Sequence, residues 1–211
     1  MAEALPSIED EPDVASIIFG DQIERARAFA RALGRHGEER GLIGPLEPAR
    51  LWTRHILNSA VVAPLFSGRV ADIGSGAGLP GLVLAIARPD VEFVLIEPME
   101  RRVAWLSEQA EDLSLDNVEI VRMRGEEWTG GPVFDAVTAR AVSALRTLVP
   151  ITAPLVRDGG ELILLKGASV AAEIENAEKQ LRRFKVTDAR VEIVGADLLA
   201  EPTRVFRATV R

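Results

Sequence analysis

The chain has 211 residues, 47% hydrophobic and 27% charged, with no cysteine and a formal net charge of −7. That is the balance of a soluble globular protein, long enough for one sizeable domain with an appendage but not for two full domains. Disulfide and thiolate chemistry are excluded, and no apolar run reaches the ~18–20 residues of a membrane span, so no membrane partner is expected.

The first stretch, MAEALPSIEDEPD, is acidic and lacks the basic and apolar regions of a signal peptide. Residues 1–13 therefore read as a mobile acidic tail, and the expected location is the cytoplasm. From Asp21 to Leu33, Ile23, Ala26, Ala30 and Leu33 recur at helical spacing. HGEERGLIGPLEP is a loop punctuated by glycine and proline, and a second helix is expected over Ala49–Ala63. Residues 14–64 thus form an N-terminal helical cap, and residues 65–211 form the main domain as a single compact unit.

A strand and helix alternation follows. Strands are expected at Arg69–Ile73, Glu92–Glu97, Val118–Val121, Phe134–Ala139 and Glu161–Leu165. Between them lie helices at Leu82–Ala87, around Val103–Leu113, and near Ala144–Leu155, the last leading through DGG. A further helix carries Val170, Ile174, Ala177, Leu181 and Phe184. VEIV and RVFRATV close the chain as two antiparallel strands. Near-continuous apolar strands separated by helices mean a mostly parallel sheet covered on both faces. The expected fold is α/β and Rossmann-like, with seven strands.

The stretch DIGSGAGLPG (Asp72–Gly81) carries four glycines between a strand and a helix start. It fits two templates. Gly76, Gly78 and Gly81 spell the dinucleotide fingerprint G-x-G-x-x-G. Asp72, Gly74, Gly76 and Gly78 spell D-x-G-x-G-x-G, a pattern of S-adenosylmethionine-dependent methyltransferases. Glu97, ending the second strand, suits the ribose hydroxyls of either cofactor. The polar pair in RGEEW (Arg124–Trp128) suits an adenine edge. Downstream chemistry separates the two better. There is no tyrosine for a short-chain dehydrogenase, and His36 and His55 with no cysteine leave no zinc site, so no metal is expected. Asp72 adds a carboxylate for the methionine ammonium. The methyltransferase reading leads, with a small molecule or a protein as candidate acceptors, and an NAD-binding oxidoreductase stays open.

Five segments in order resemble the ribosomal small-subunit methyltransferase G family, also called glucose-inhibited division protein B. They are RHILNSAVVAP (Arg54–Pro64), DIGSGAGLPG, IEPMERRVAWL (Ile96–Leu106), RGEEW, and TARAVSAL (Thr138–Leu145); LKG (Leu165–Gly167) closes the match. Asn58 stands where the family usually has Asp, Glu97 replaces Asp, Arg101 replaces Lys, and Gly125 takes a place often filled by Ala. The resemblance implies methyl transfer from S-adenosylmethionine to N7 of one guanine in 16S ribosomal RNA. The implied partner is the small subunit or an assembly intermediate, met by a monomer. The family's cofactor contacts fall on Gly74, Leu79, Gly125, Glu126 and Arg140, and the residue reading adds Asp72, Gly76 and Glu97. Arg140 and Lys166 are the expected substrate-positioning residues, with no general base.

RNA binding in an acidic protein needs local positive charge. Arg101, Arg102, Arg122, Arg124 and the helix KQLRRFK (Lys179–Lys185) are candidates, although the last reads more simply as an amphipathic surface. His55 reads as a packed, hydrogen-bonded histidine rather than a catalytic one. Trp52, Trp105 and Trp128 read as core rather than base-stacking platforms, with Trp128, beside the glutamate pair, the one to watch.

Overall fold

The computed structural model describes residues 8–211. The chain opens with α1 (Val14–Phe19), a 3-10 turn (Gly20–Gln22) and α2 (Ile23–His36). After a loop come a 3-10 turn (Pro48–Arg50), a π-helix (Leu51–Leu57) and the single turn α3 (Asn58–Ala60). The sheet then begins. β1 (Arg69–Ile73), β2 (Glu92–Ile96), β3 (Val118–Val121), β4 (Phe134–Arg140) and β5 (Val156–Lys166) run parallel. Between them lie α4 (Gly81–Ala87), α5 (Glu100–Asp112) and α6 (Leu145–Thr152). α7 (Val170–Arg183) leads into β6 (Val186–Val194) and β7 (Thr203–Val210). The strand order is β3-β2-β1-β4-β5-β7-β6, with β7 antiparallel to both its neighbours. The order reverses between β1 and β4, where ligands bind in such sheets.

Strand alternation divides the core. Val70, Phe93 and Ile163 face α4, α5 and the N-terminal helices. Their neighbours Ala71, Val94 and Leu162 face α6 and α7. α4 is buried over Leu82–Ile86 because the sheet lies beneath it and the N-terminal segment covers it. Phe29, Leu33, Leu51 and Ile56 belong to the same continuous core as β1 and β2.

Several expectations need correction. α2 starts at Ile23, with Asp21 in the preceding 3-10 turn, and α1 was not foreseen. The helix expected over Ala49–Ala63 is broken into 3-10, π and α turns. DGG does not precede the fifth strand but lies within β5, where the β4–β5 register shifts between Phe134 and Ala136. Of the acidic tail, residues 1–7 lie outside the described residues. Residues 8–13 are docked: the Glu9 amide donates to the Pro48 carbonyl, and the Glu11 carboxylate takes Arg27 at 2.6 and 2.8 Å.

Candidate active site

Ile73, Ile96 and Val121 share one row at the carboxyl edge of the sheet, so the segments after β1, β2 and β3 emerge side by side. The chain turns sharply after Ile73, through Gly74, Gly76 and Gly78, all at positive φ (71°, 56° and 90°), a region glycine enters without a Cβ penalty. Two buried carboxylates brace this turn from below. Asp72 Oδ2 accepts the Gly81 amide at 3.0 Å, and Glu97 accepts the Gly76 amide at 2.9 Å and the Met99 amide at 3.0 Å. Gly81 must be glycine here: a Cβ would lie 2.3 Å from Leu95 Cδ2 and 2.5 Å from Asp72 Oδ2. Trp105 Nε1 donates to the Ala77 carbonyl at 3.0 Å and ties the turn to α5. Burial pushes the Asp72 carboxyl up to about 7, with Glu97 adding to the rise and the Gly81 amide opposing it.

This arrangement discriminates between the two cofactor templates. A dinucleotide's diphosphate needs free amides at the start of the helix after the turn. Here the first amide of α4 is already taken by Asp72, and a second carboxylate lies close behind. The buried Asp72 Oδ1 has no partner among the described residues. Glu97 serves either template, but Asp72 on that amide deprives a diphosphate of its donor and suits a ligand carrying positive charge, as S-adenosylmethionine does at its sulfonium and ammonium groups.

Across the switch point stands Arg140, at the end of β4. Its guanidinium is held by the π-helix and α3. Nη1 donates to the His55 carbonyl (3.1 Å) and Ser59 Oγ (2.9 Å). Nη2 donates to the Arg54 carbonyl (3.0 Å) and meets His55 Nδ1 at 2.7 Å. Burial, with the Arg54 charge beside it, pulls Arg140 down to about 10. Lys166, ending β5, is anchored by the Ser143 carbonyl and by Glu173, both at 2.7 Å. Hydrogen bonds from Lys166, the Leu145 amide and Ser169 outweigh burial and hold Glu173 below the usual carboxylate range.

Two depressions meet at Arg140 and Ala141. One, of about 300 Å³, is lined by the glycine turn, Leu79, Arg102 and the loop residues Ile43 and Glu47. The other, of about 590 Å³, lies beside it and is lined by Arg54, Asn58, Lys166, Glu201 and Arg204. Gly74, Gly76, Leu79 and Arg140 thus line the first, and Lys166 lines the second. Asp72 and Glu97 sit under the turn rather than on its surface. Gly125 and Glu126 lie on the 3-10 turn after β3, outside both depressions. A Cβ on Gly125 would lie 2.7 Å from Ile151, which explains the glycine in this chain.

Other sequence candidates fall elsewhere. Trp128 packs on Phe134 and donates to the Gly131 carbonyl, so it is part of the fold and not a stacking platform. KQLRRFK closes α7 at the edge of the sheet opposite the site, since α7 runs back from Lys166 toward the start of β6. Arg122 pairs with Glu100. Sequence reasoning missed Glu47 and Ile43, whose only signal was a loop rich in glycine, while Arg102, expected as an RNA contact, lines the cavity at the glycine turn. Asn58 donates to the Thr53 carbonyl and accepts from Thr203 Oγ1, both at 2.6 Å. A carboxylate could not make that donation, so Asn is the better fit here. Among the described residues there is no group of three metal-ligating side chains and no helix long and apolar enough to cross a membrane.

Comparison with known proteins places these features in context. The family model described as rRNA small subunit methyltransferase G matches residues 22–199. A ribosomal RNA small subunit methyltransferase G from Leifsonia xyli subsp. xyli is 62% identical over 206 residues, spanning 97% of this chain and 99% of that protein. One from Clavibacter michiganensis subsp. michiganensis is 58% identical, spanning 96% and 97%. Among solved structures, M. jannaschii TYW2 in complex with AdoMet superposes with a TM-score of 0.59 at 18% identity, over 75% of this chain and 76% of that one. At that identity the likeness speaks to the fold.

Proposed function

The chain belongs to the rRNA small subunit methyltransferase G family, and from that membership and the geometry of the site we infer its reaction. It is an S-adenosylmethionine-dependent methyltransferase acting on 16S ribosomal RNA of the small subunit, and the acceptor is N7 of a guanine. The observation that carries the cofactor reading is the Asp72 carboxylate on the first amide of α4, where a diphosphate would otherwise sit.

When bound, S-adenosylmethionine supplies a methyl group that neutral guanine N7 accepts without losing a proton, so the chain needs no general base. The residues then work by placement. Gly74, Gly76 and Leu79 shape the cofactor cavity, with Asp72 and Glu97 fixing the turn beneath. Gly125 and Glu126, on the turn after β3, would hold the adenine. Arg140 stands at the wall shared with the larger cleft. Lys166, paired with Glu173, lines that cleft, and the exposed Arg54 and Arg204 give it the positive charge a phosphate backbone or guanine O6 requires. The substrate is the small subunit or an assembly intermediate, encountered in the cytoplasm.

The test is transfer of labelled methyl groups to small subunits from a strain lacking the enzyme. Products are mapped by chain cleavage at N7-methylguanine, with naked rRNA and NAD in parallel. Label at one guanine, strongest on assembled subunits, is expected. Tight S-adenosylmethionine binding without transfer would move the substrate elsewhere. No binding of that cofactor would overturn the reading.

A further inference from the structure

Arg140 meets its neighbours through four contacts, and three of them are indifferent to pH. The Arg54 carbonyl, the His55 carbonyl and Ser59 Oγ accept hydrogen bonds in any protonation state. The fourth is different. Arg140 Nη2 lies 2.7 Å from His55 Nδ1, and a guanidinium only donates. Nδ1 must therefore present a lone pair, which places the imidazole proton on Nε2. That nitrogen faces Glu47 Oε2 at 2.5 Å, and a carboxylate accepts. The geometry fixes the tautomer from both sides. The other Glu47 oxygen takes Arg50 at 2.6 Å, and Arg54 approaches the carboxylate at 3.5 Å. The charged groups facing the ring are thus Glu47, Arg140 and Arg54. Glu47, His55 and Arg140 all line the cofactor cavity, and Arg140 lines the larger cleft as well.

We propose that Glu47 and His55 are positioning residues for methyl transfer, with the neutral imidazole orienting the Arg140 guanidinium at the wall between cofactor and substrate. The proposal rests on the methyltransferase reading above. Protonating His55 turns its Nδ1 into a donor facing a donor, so Arg140 Nη2 keeps only the Arg54 carbonyl and a second cation is set against the guanidinium. Burial, then the Arg140 charge, hold the imidazolium below its ordinary range, while Glu47 works the other way. The ring is therefore neutral at physiological pH, as the contact demands.

The chain has only two histidines, and His36 is exposed at the end of α2. Nitrogen-15 NMR of the whole protein therefore reads His55 directly, with His36→Gln completing the assignment. At neutral pH the expected spectrum has a protonated Nε2 and an unprotonated Nδ1. Glu47→Gln should move the His55 titration to lower pH, because the carboxylate favours the imidazolium. In methyl transfer, His55→Gln should lower kcat/KM about tenfold or more and remove any acid limb assignable to His55. Glu47→Gln should shift that limb to lower pH in step with the NMR titration.

A protonated Nδ1, a Glu47→Gln titration that stays put or rises, or a His55→Gln enzyme with the wild-type rate and pH profile would each overturn the proposal. Should His55→Gln fail to fold, the tautomer and the Glu47→Gln shift decide alone. If the wild-type protein transfers no methyl group to small subunits, the methyltransferase reading fails, and the NMR tautomer still reports on the dyad.

Discussion

The two sides of the switch point hold their functional groups by opposite means. On the β1–β2 side the braces are carboxylates spent on backbone amides: Asp72 on Gly81, and Glu97 on Gly76 and Met99. These partners lie 2 to 21 residues apart, so the cradle is made by the sheet and its own turn. On the β4 side the brace is a cation spent on acceptors 81 to 86 residues away, in the π-helix and α3. That wall exists only when the N-terminal segment is docked. The N-terminal helices are therefore part of the site, as their place in the shared core already indicates.

The largest effect expected from this contrast is that of Arg140→Ala. It removes four contacts between β4 and the N-terminal segment and leaves neutral acceptors there unpaired, at about 1–3 kcal/mol for each that stays buried, so urea unfolding should show a loss of about 3–5 kcal/mol. Methyl transfer should fall at least about 100-fold. Arg140→Lys should rescue little, because one ammonium cannot span the acceptors that a planar fork reaches. Unchanged stability in Arg140→Ala would show that the N-terminal segment docks without the cation, and the contrast would fail.

Asp72→Asn probes the opposite side. The folded carboxyl is raised to about 7 from its ordinary 3.8. Between those values the folded chain retains a proton that the unfolded chain has released. Wild-type stability should therefore fall as pH rises from about 4 to about 7. The amide replacement still accepts the Gly81 amide but does not titrate. Its stability advantage should grow through that window to roughly 2–4 kcal/mol near pH 8, measured by urea unfolding across pH. Binding of S-adenosylmethionine should weaken in the same variant as the negative charge is lost. Parallel stability curves would mean that the buried charge is not what strains the cradle.

Gly81→Ala tests how closely the cradle is fitted. Its new methyl meets Leu95 and the Asp72 carboxylate at contact distances that no packed core accepts. A loss of about 1–3 kcal/mol is expected in thermal or urea unfolding, with weaker cofactor binding by calorimetry. An undisturbed variant would show that the Asp72–Gly81 contact can open freely.

The same contrast explains what could be read from the sequence. Strand alternation and the glycine spacing are local, and they gave the parallel sheet, the turn and residues such as Gly74 and Glu97 at their observed places. The antiparallel pair at the end was also legible, but not that β7 inserts between β5 and β6, which depends on pairing across the whole domain. Glu47 could not be found, because nothing within its loop says that it will meet a histidine eight residues on across a π-helix. Arg140 and Lys166 were found as cations at strand ends, yet most of their donors turn out to be anchored within the protein. Asp72 is expected to meet the cofactor's ammonium, and no local pattern announces that one of its oxygens is already taken by a backbone amide nine residues away.

The smallest expected effect concerns Trp105, the one brace of the glycine turn that comes from α5. Its ring is fully buried, and its Nε1 donates to Ala77, 28 residues away. Trp105→Phe keeps an aromatic in the core but leaves the Ala77 carbonyl without that donor and a small void beside it. A neutral hydrogen bond of this kind contributes about 1 kcal/mol, so unfolding should shift modestly while the fold persists. The informative readout is hydrogen exchange at the turn amides. If the cradle is made by β1, β2 and the turn alone, Gly76 and Gly81 should keep their protection, because Glu97 and Asp72 still hold them. Loss of protection at both amides would make α5 a necessary third support, and the cradle would then depend on distant packing as the Arg140 wall does.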